Sequence, residues 1–139
     1  MAVLIARTTI EEALAEPSKQ GKRALEPFSS LMKSKKVPLA IVEDSNVSDN
    51  KAEVHKKEAD LWYCLEGEVT FTVGGTLHEG TQRKLQDGSV DDTEWRADAI
   101  NNGEDITLKK GDVLYIPAGE PHTHRATGTA RLLIAKIPA

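Results

Sequence analysis

The sequence has a single cysteine, Cys64, among 139 residues, so no internal disulfide forms and the fold must rest on packing. That fits a reducing compartment. No apolar run approaches the ~18 residues a membrane-crossing helix needs, and the amino terminus, MAVLIARTTIEEALAEP, shows no basic region followed by a long apolar stretch. A cytoplasmic chain without a membrane partner is expected. Positive charge is also short, with 18 Lys and Arg against 22 Asp and Glu for a net charge of −4, and the basic residues are interleaved with acids. No field for nucleic acid results, and no DNA-binding helix pair is legible. The expected partner is a small molecule.

What the chain does have is β-character. Its length suits one domain with a core of its own. Thr9 with Glu12 three places on reads as a capping box, which predicts a helix over Thr9–Glu16 that stops before Pro17. Residues 17–36 are polar and read as irregular, with one helical turn around Phe28 to Lys33. The β-branched run VPLAIVE, Val37 to Glu43, opens a series of strands expected near 51–56, 60–66, 68–73, 105–109, 113–116, 121–126 and 130–137. The chain thus divides into an extension, 1–36, packed on a β-barrel, 37–139.

Val69, Phe71 and Val73 alternate with Thr70 and Thr72, as in a half-buried strand, whereas LWYCL and VLYI are apolar on both faces. A second subunit is one candidate for the extra cover. Between these runs lies a polar insertion at about 78–103, longer than an ordinary turn. It is either a lid that brings His78, Arg83, Trp95 or Arg96 to a ligand, or a surface loop tethered by Trp95.

Chemistry concentrates in two stretches. In AEVHKKEADLWYCLEG, Glu53 and His55 share one face of a strand, and Asp60 can return toward them from the next. In GDVLYIPAGEPHTH, Pro117, Gly119 and Pro121 make a tight turn, with Gly119 free to take positive φ, that delivers His122 and His124 onto one face. Four nitrogen and oxygen donors, Glu53, His55, Asp60 and His122, can converge.

These positions resemble the two motifs of the cupin superfamily. That family's first motif runs Gly, five residues, His, one, His, three or four, Glu, six, Gly. His55 takes the second His, Asp60 the Glu and Gly67 the closing Gly, while Glu53 stands for the first His and Asn50 or a neighbour for the opening Gly. The second motif, Gly, five, Pro, one, Gly, two, His, falls on Gly111, Pro117, Gly119 and His122, with Ala126 where the family has Asn. The resemblance spans about 37–137 and implies an all-β jelly-roll cupin barrel (a double-stranded β-helix) with a short N-terminal helix. It also implies one bound divalent transition metal ion and a homodimer. The family hosts many reactions, so the fold alone selects none.

Two carboxylates and two imidazoles suit Fe, Mn, Ni or Zn. If Glu53 faces solvent, His55, Asp60 and His122 remain as a two-His-one-carboxylate set. His124 is a candidate general acid or base, or else an imidazole packed at the pocket mouth, and Glu53 is the other proton-transfer candidate. Cys64 is read as a buried hydrophobe, and Trp62, Tyr63 and Tyr115 as core or ligand-stacking residues. The functions that follow are a metalloenzyme acting on an oxygen-rich small molecule (an oxygenase, isomerase or lyase), a non-catalytic binding module, or a structural barrel.

Overall fold

The computed structural model describes residues 1–139. In chain order it contains α1 (Arg7–Leu14), β1 (Gly21–Ala24), α2 (Phe28–Ser34), β2 (Leu39–Val47), β3 (Ala52–His55), β4 (Glu58–Glu66) and β5 (Glu68–Val73). The remaining elements are β6 (Thr76–Leu77), β7 (Thr81–Lys84), β8 (Val90–Ala97), β9 (Ile100–Asn101), β10 (Glu104–Lys109), β11 (Val113–Ile116) and β12 (His122–Pro138). The all-β expectation holds, and the curled antiparallel sheets form a jelly-roll barrel.

One strand joins the two walls. The start of β12, His122–Arg125, pairs with β5, and His122 also pairs with Glu53 of β3. Past a register shift between Ala126 and Thr129, the same strand runs between β2 and β4. An irregularity of this kind bends a strand and lets it leave one sheet for another. The two strands expected over 121–126 and 130–137 are therefore one continuous element. Trp62, Cys64, Val69, Phe71, Leu108 and Leu132 belong to the apolar core between the walls, each large side chain contributing roughly 1.5–3 kcal/mol by burial.

The amino-terminal part departs from expectation in two ways. Helix α1 begins two residues early, with Ala6 at its N-cap and no side-chain cap, so the Thr9/Glu12 capping box does not form. Thr9 lies inside the helix, its N–H bonded to the Ala6 carbonyl at 3.0 Å. Residues 17–36 are also not irregular, because β1 pairs with β2 from Gly21↔Ser45 to Ala24↔Val42. Its sequence, GKRA, has no strand signature of its own, and the pairing is made by its partner. Helix α2 sets Phe28 and Met32 against Ala13, Leu25 and Ile41 on the outer side of β2.

The polar insertion is an ordered hairpin rather than a loop. β7 pairs with β8, and β8 pairs with β3 from Ala52↔Ala97 to His55↔Glu94, so the segment extends a barrel wall beside His55. No helix is long and apolar enough to cross a membrane.

Candidate metal centre

Three strands bring the expected donors together. β3 supplies Glu53 and His55 from one face, β4 supplies Asp60, and β12 supplies His122. His55 Nε2 lies 3.2 Å from Glu53 Oε2 and 3.8 Å from Asp60 Oδ2, and His122 Nε2 lies 3.2 Å from Asp60 Oδ2. Glu53, His55 and His122 form a group able to hold a metal ion, with ligand atoms all within 4.8 Å of one another. Asp60 touches two of the three.

Local sequence explains the convergence. Gly119 has φ +86°, as the turn reading expects, and its N–H donates to the His55 carbonyl at 2.8 Å. The turn that carries His122 is thus fastened to the strand that carries His55. Gly67, which closes the first motif, has φ +73°, and a Cβ there would collide with the Thr129 carbonyl. Only glycine fits, at the place where β4 turns into β5 against the irregular part of β12.

The protons decide what the cluster wants. His122 Nδ1 is 3.1 Å from the Glu120 carbonyl oxygen, which only accepts, so Nδ1 carries the proton and Nε2 presents a lone pair. That lone pair faces Asp60 Oδ2, a buried atom that accepts no hydrogen bond. His55 repeats the pattern, with Nδ1 3.1 Å from Glu94 Oε1, which leaves Nε2 turned to Glu53 and Asp60. Acceptors facing acceptors in a buried site demand positive charge between them.

The electrostatics of the buried groups make the same demand. Burial works to lower the pKa of His55, yet the bonds to Glu53 and Glu94 raise it to about 9. Burial works to raise Glu53, yet the bond to His55 and the charge of Lys22 bring it down to about 2. A proton on His55 or a divalent cation satisfies the set, and two imidazoles with two carboxylates match the ligand preferences of Fe, Mn, Ni and Zn.

Three residues of the site had no motif to announce them. Glu94, in the polar insertion, accepts from His55 and is itself held by Arg96 Nε at 2.7 Å, with Arg83 Nε at 3.6 Å. Lys136 donates to Asp60 Oδ1 at 2.7 Å and lies 3.4 Å from His55 Nε2. Its signal is a charge at inward strand parity in the apolar run LLIAKI. Asp44, fully buried, bonds His124 Nδ1, and Asn50 Nδ2 braces the pair through Asp44 Oδ1 at 3.3 Å and the His124 carbonyl at 2.9 Å.

His124 therefore has one nitrogen committed, and its ring sits 5.1 Å from Trp62 and 5.2 Å from Phe71. It also lines a cavity of about 220 Å³ together with Glu53, Asp60, Trp62, His122 and Lys136. A hollow of about 340 Å³ by Lys51, His78 and Arg96 lies on the hairpin and gathers no such donor set. Of the residues considered for a lid, Arg96 and Arg83 reach Glu94, whereas the Trp95 ring is covered by Lys56 Nζ at 5.0 Å. Cys64 is buried core, but Tyr63 and Tyr115 are exposed rather than packed inside.

Residues 96–136 match the family model of the cupin domain. The fold resembles that of a Thermotoga maritima protein described as a predicted oxalate decarboxylase, at 20% identity and TM-score 0.50 over 85% of this chain and 79% of that one. It also resembles an oxalate oxidase, at 15% identity and TM-score 0.53 over 87% of this chain but only 53% of the other. A Bacillus halodurans protein aligns over 98% of this chain and 81% of its own, at 17% identity and TM-score 0.53. No curated protein matches the sequence.

Proposed function

We propose, from the premise that this is a cupin-fold chain, that its barrel holds one divalent transition metal ion on Glu53, His55 and His122 with Asp60 as the fourth ligand. It would serve there as a small metalloenzyme acting on an oxygen-rich small molecule, as an oxygenase or as an isomerase or lyase. The observation that carries this is the pair of Nε2 atoms turned toward carboxylate oxygens, one of them the unpartnered Asp60 Oδ2. Such an ion, when bound, polarises a chelating carbonyl or hydroxyl oxygen and offers open positions to a substrate.

The chain's own residues supply the rest. Glu94 and the Glu120 carbonyl fix the tautomers of His55 and His122, which keeps both Nε2 atoms on the cluster. Asp44 orients His124 so that its free nitrogen is the atom available for proton transfer at the cavity wall. Trp62, Ile134 and Val42 give the cavity its apolar side, which limits water at the centre.

His122→Ala tests the centre. The variant is expected to keep a folded barrel by circular dichroism and to lose its metal by elemental analysis, whereas full metal occupancy would remove the site. The identity of the metal then directs the assay, iron toward O₂ consumption and zinc, manganese or nickel toward isomerase and lyase substrates. A second reading, a binding module without turnover, is favoured by one contact: the chain's own Lys136 ammonium pairs with Asp60 Oδ1 at 2.7 Å.

A further inference from the structure

Lys136 is a charge that the metal site does not need as a ligand. Its ammonium has three protons, of which one is used by Asp60 Oδ1 at 2.7 Å and a second comes within 3.4 Å of His55 Nε2. Asp60 divides its two oxygens, with Oδ1 on Lys136 and Oδ2 toward the imidazoles, so the ammonium keeps its place when Oδ2 serves an ion. If His55 Nε2 does likewise, at least two protons of Lys136 are left without an acceptor at the wall of the 220 Å³ cavity.

Two more ammonium groups share that wall. Lys22 and Lys51 line it alongside Lys136, against only two carboxylates, Glu53 and Asp60. Lys51 is occupied by Asp98, which leaves Lys22 and Lys136 as the charges facing the cavity. With the carboxylates neutralised by a divalent ion, the cavity keeps an excess of positive charge. Its volume is below the roughly 300–1,000 Å³ of sites for drug-sized ligands.

We infer that the cavity selects a small chelating carboxylate, with Lys136 as the residue that holds the carboxylate and thereby sets specificity. This rests on the metal reading above. A compact anion meets both the ammonium and an open metal position, while an uncharged analogue of the same size leaves the ammonium's protons unpaired, which is the costlier mismatch in a partly buried site.

The test is calorimetric titration of glycolate and of its uncharged methyl ester into wild type, Lys136→Met, Lys136→Gln and Lys136→Arg. Each is run loaded with Mn²⁺ and stripped, with metal content and circular dichroism recorded on the same samples. Wild type is expected to favour glycolate by about tenfold or more, Lys136→Met to lose that preference at unchanged metal content, and Lys136→Arg to keep most of it. Lys136→Gln, which retains a donor for Asp60, decides the matter if the Met variant misfolds or drops its metal. Equal affinity of wild type for the two ligands, or a preference that survives removal of the charge, overturns the inference. If wild type takes up no metal, the metal reading falls separately, and the stripped samples decide the anion site by the same comparison.

Discussion

At the residue scale, the donor set is a cluster that a proton on His55 or a divalent cation satisfies, and each side chain has a measurable share in that. Glu53→Gln keeps the shape but halves the anionic charge among the four donors, and metal affinity should fall by at least about tenfold, as read by competition with a chromophoric chelator. Unchanged affinity would leave three ligands. Glu94→Gln touches no metal yet removes the carboxylate that orients His55, and a loss of roughly 10–100-fold in affinity is expected. The pH dependence follows from His55. Its folded pKa of about 9 lies above the ordinary 6.5, so its contribution to stability is whole below about 6.5 and fades as pH rises to 9. Metal-stripped protein should therefore lose melting temperature across that window. Metal-loaded protein should not, because the ion replaces the proton. Parallel curves for the two forms would contradict the assignment.

At the element scale, β2 and β12 do more than form walls. Glu43 and Asp44 are adjacent on β2 and both fully buried, because alternation sends them to opposite faces. Asp44 goes inward to His124, and Glu43 outward to Arg131 and Arg23, at 2.9 and 2.7 Å. Arg131 also bonds the carbonyls of Leu14 and Glu16, so a single guanidinium ties the end of α1 to the barrel. Arg131→Met should cost about 3–5 kcal/mol in urea unfolding, since it leaves Glu43 buried with one partner fewer, and should expose residues 1–20 to protease first. An unchanged midpoint would show that the network contributes little.

The same elements explain what the sequence made legible. Glu53, His55, Asp60 and His122 stood out because strand parity and a proline-glycine turn are local signals. Glu94 did not, because its place beside His55 is set by a strand pairing between β3 and β8 that no local pattern encodes. Lys136 lay in plain view inside an apolar run, and its meaning depended on which strands flank β12. The β1 strand is illegible in the sequence for a similar reason: its residues have weak strand preference, and β2 supplies the edge they need.

At the scale of the whole molecule, the helix cluster packs on Leu65 and Leu133 of the outer face and leaves a strip of β4 and β11 exposed. Tyr63, Val113 and Tyr115 are exposed there, with Val113 opposite Tyr63 across β11 and β4. We propose a homodimer through this strip, because adjacent exposed apolar side chains favour association. The double variant Tyr63→Lys/Tyr115→Lys should sediment as a monomer where the wild type does not, and a monomeric wild type would remove the idea. The barrel otherwise presents one cavity in which ligand donors, an oriented imidazole and lysine charge coincide.

The most direct measurement is elemental analysis of protein purified without added metal or chelator, beside the His55→Ala/His122→Ala variant prepared the same way. About one transition metal ion per chain in the wild type, absent from a folded variant, is the predicted result. No metal in the wild type even after reconstitution, or equal metal in both, would contradict the account at its centre.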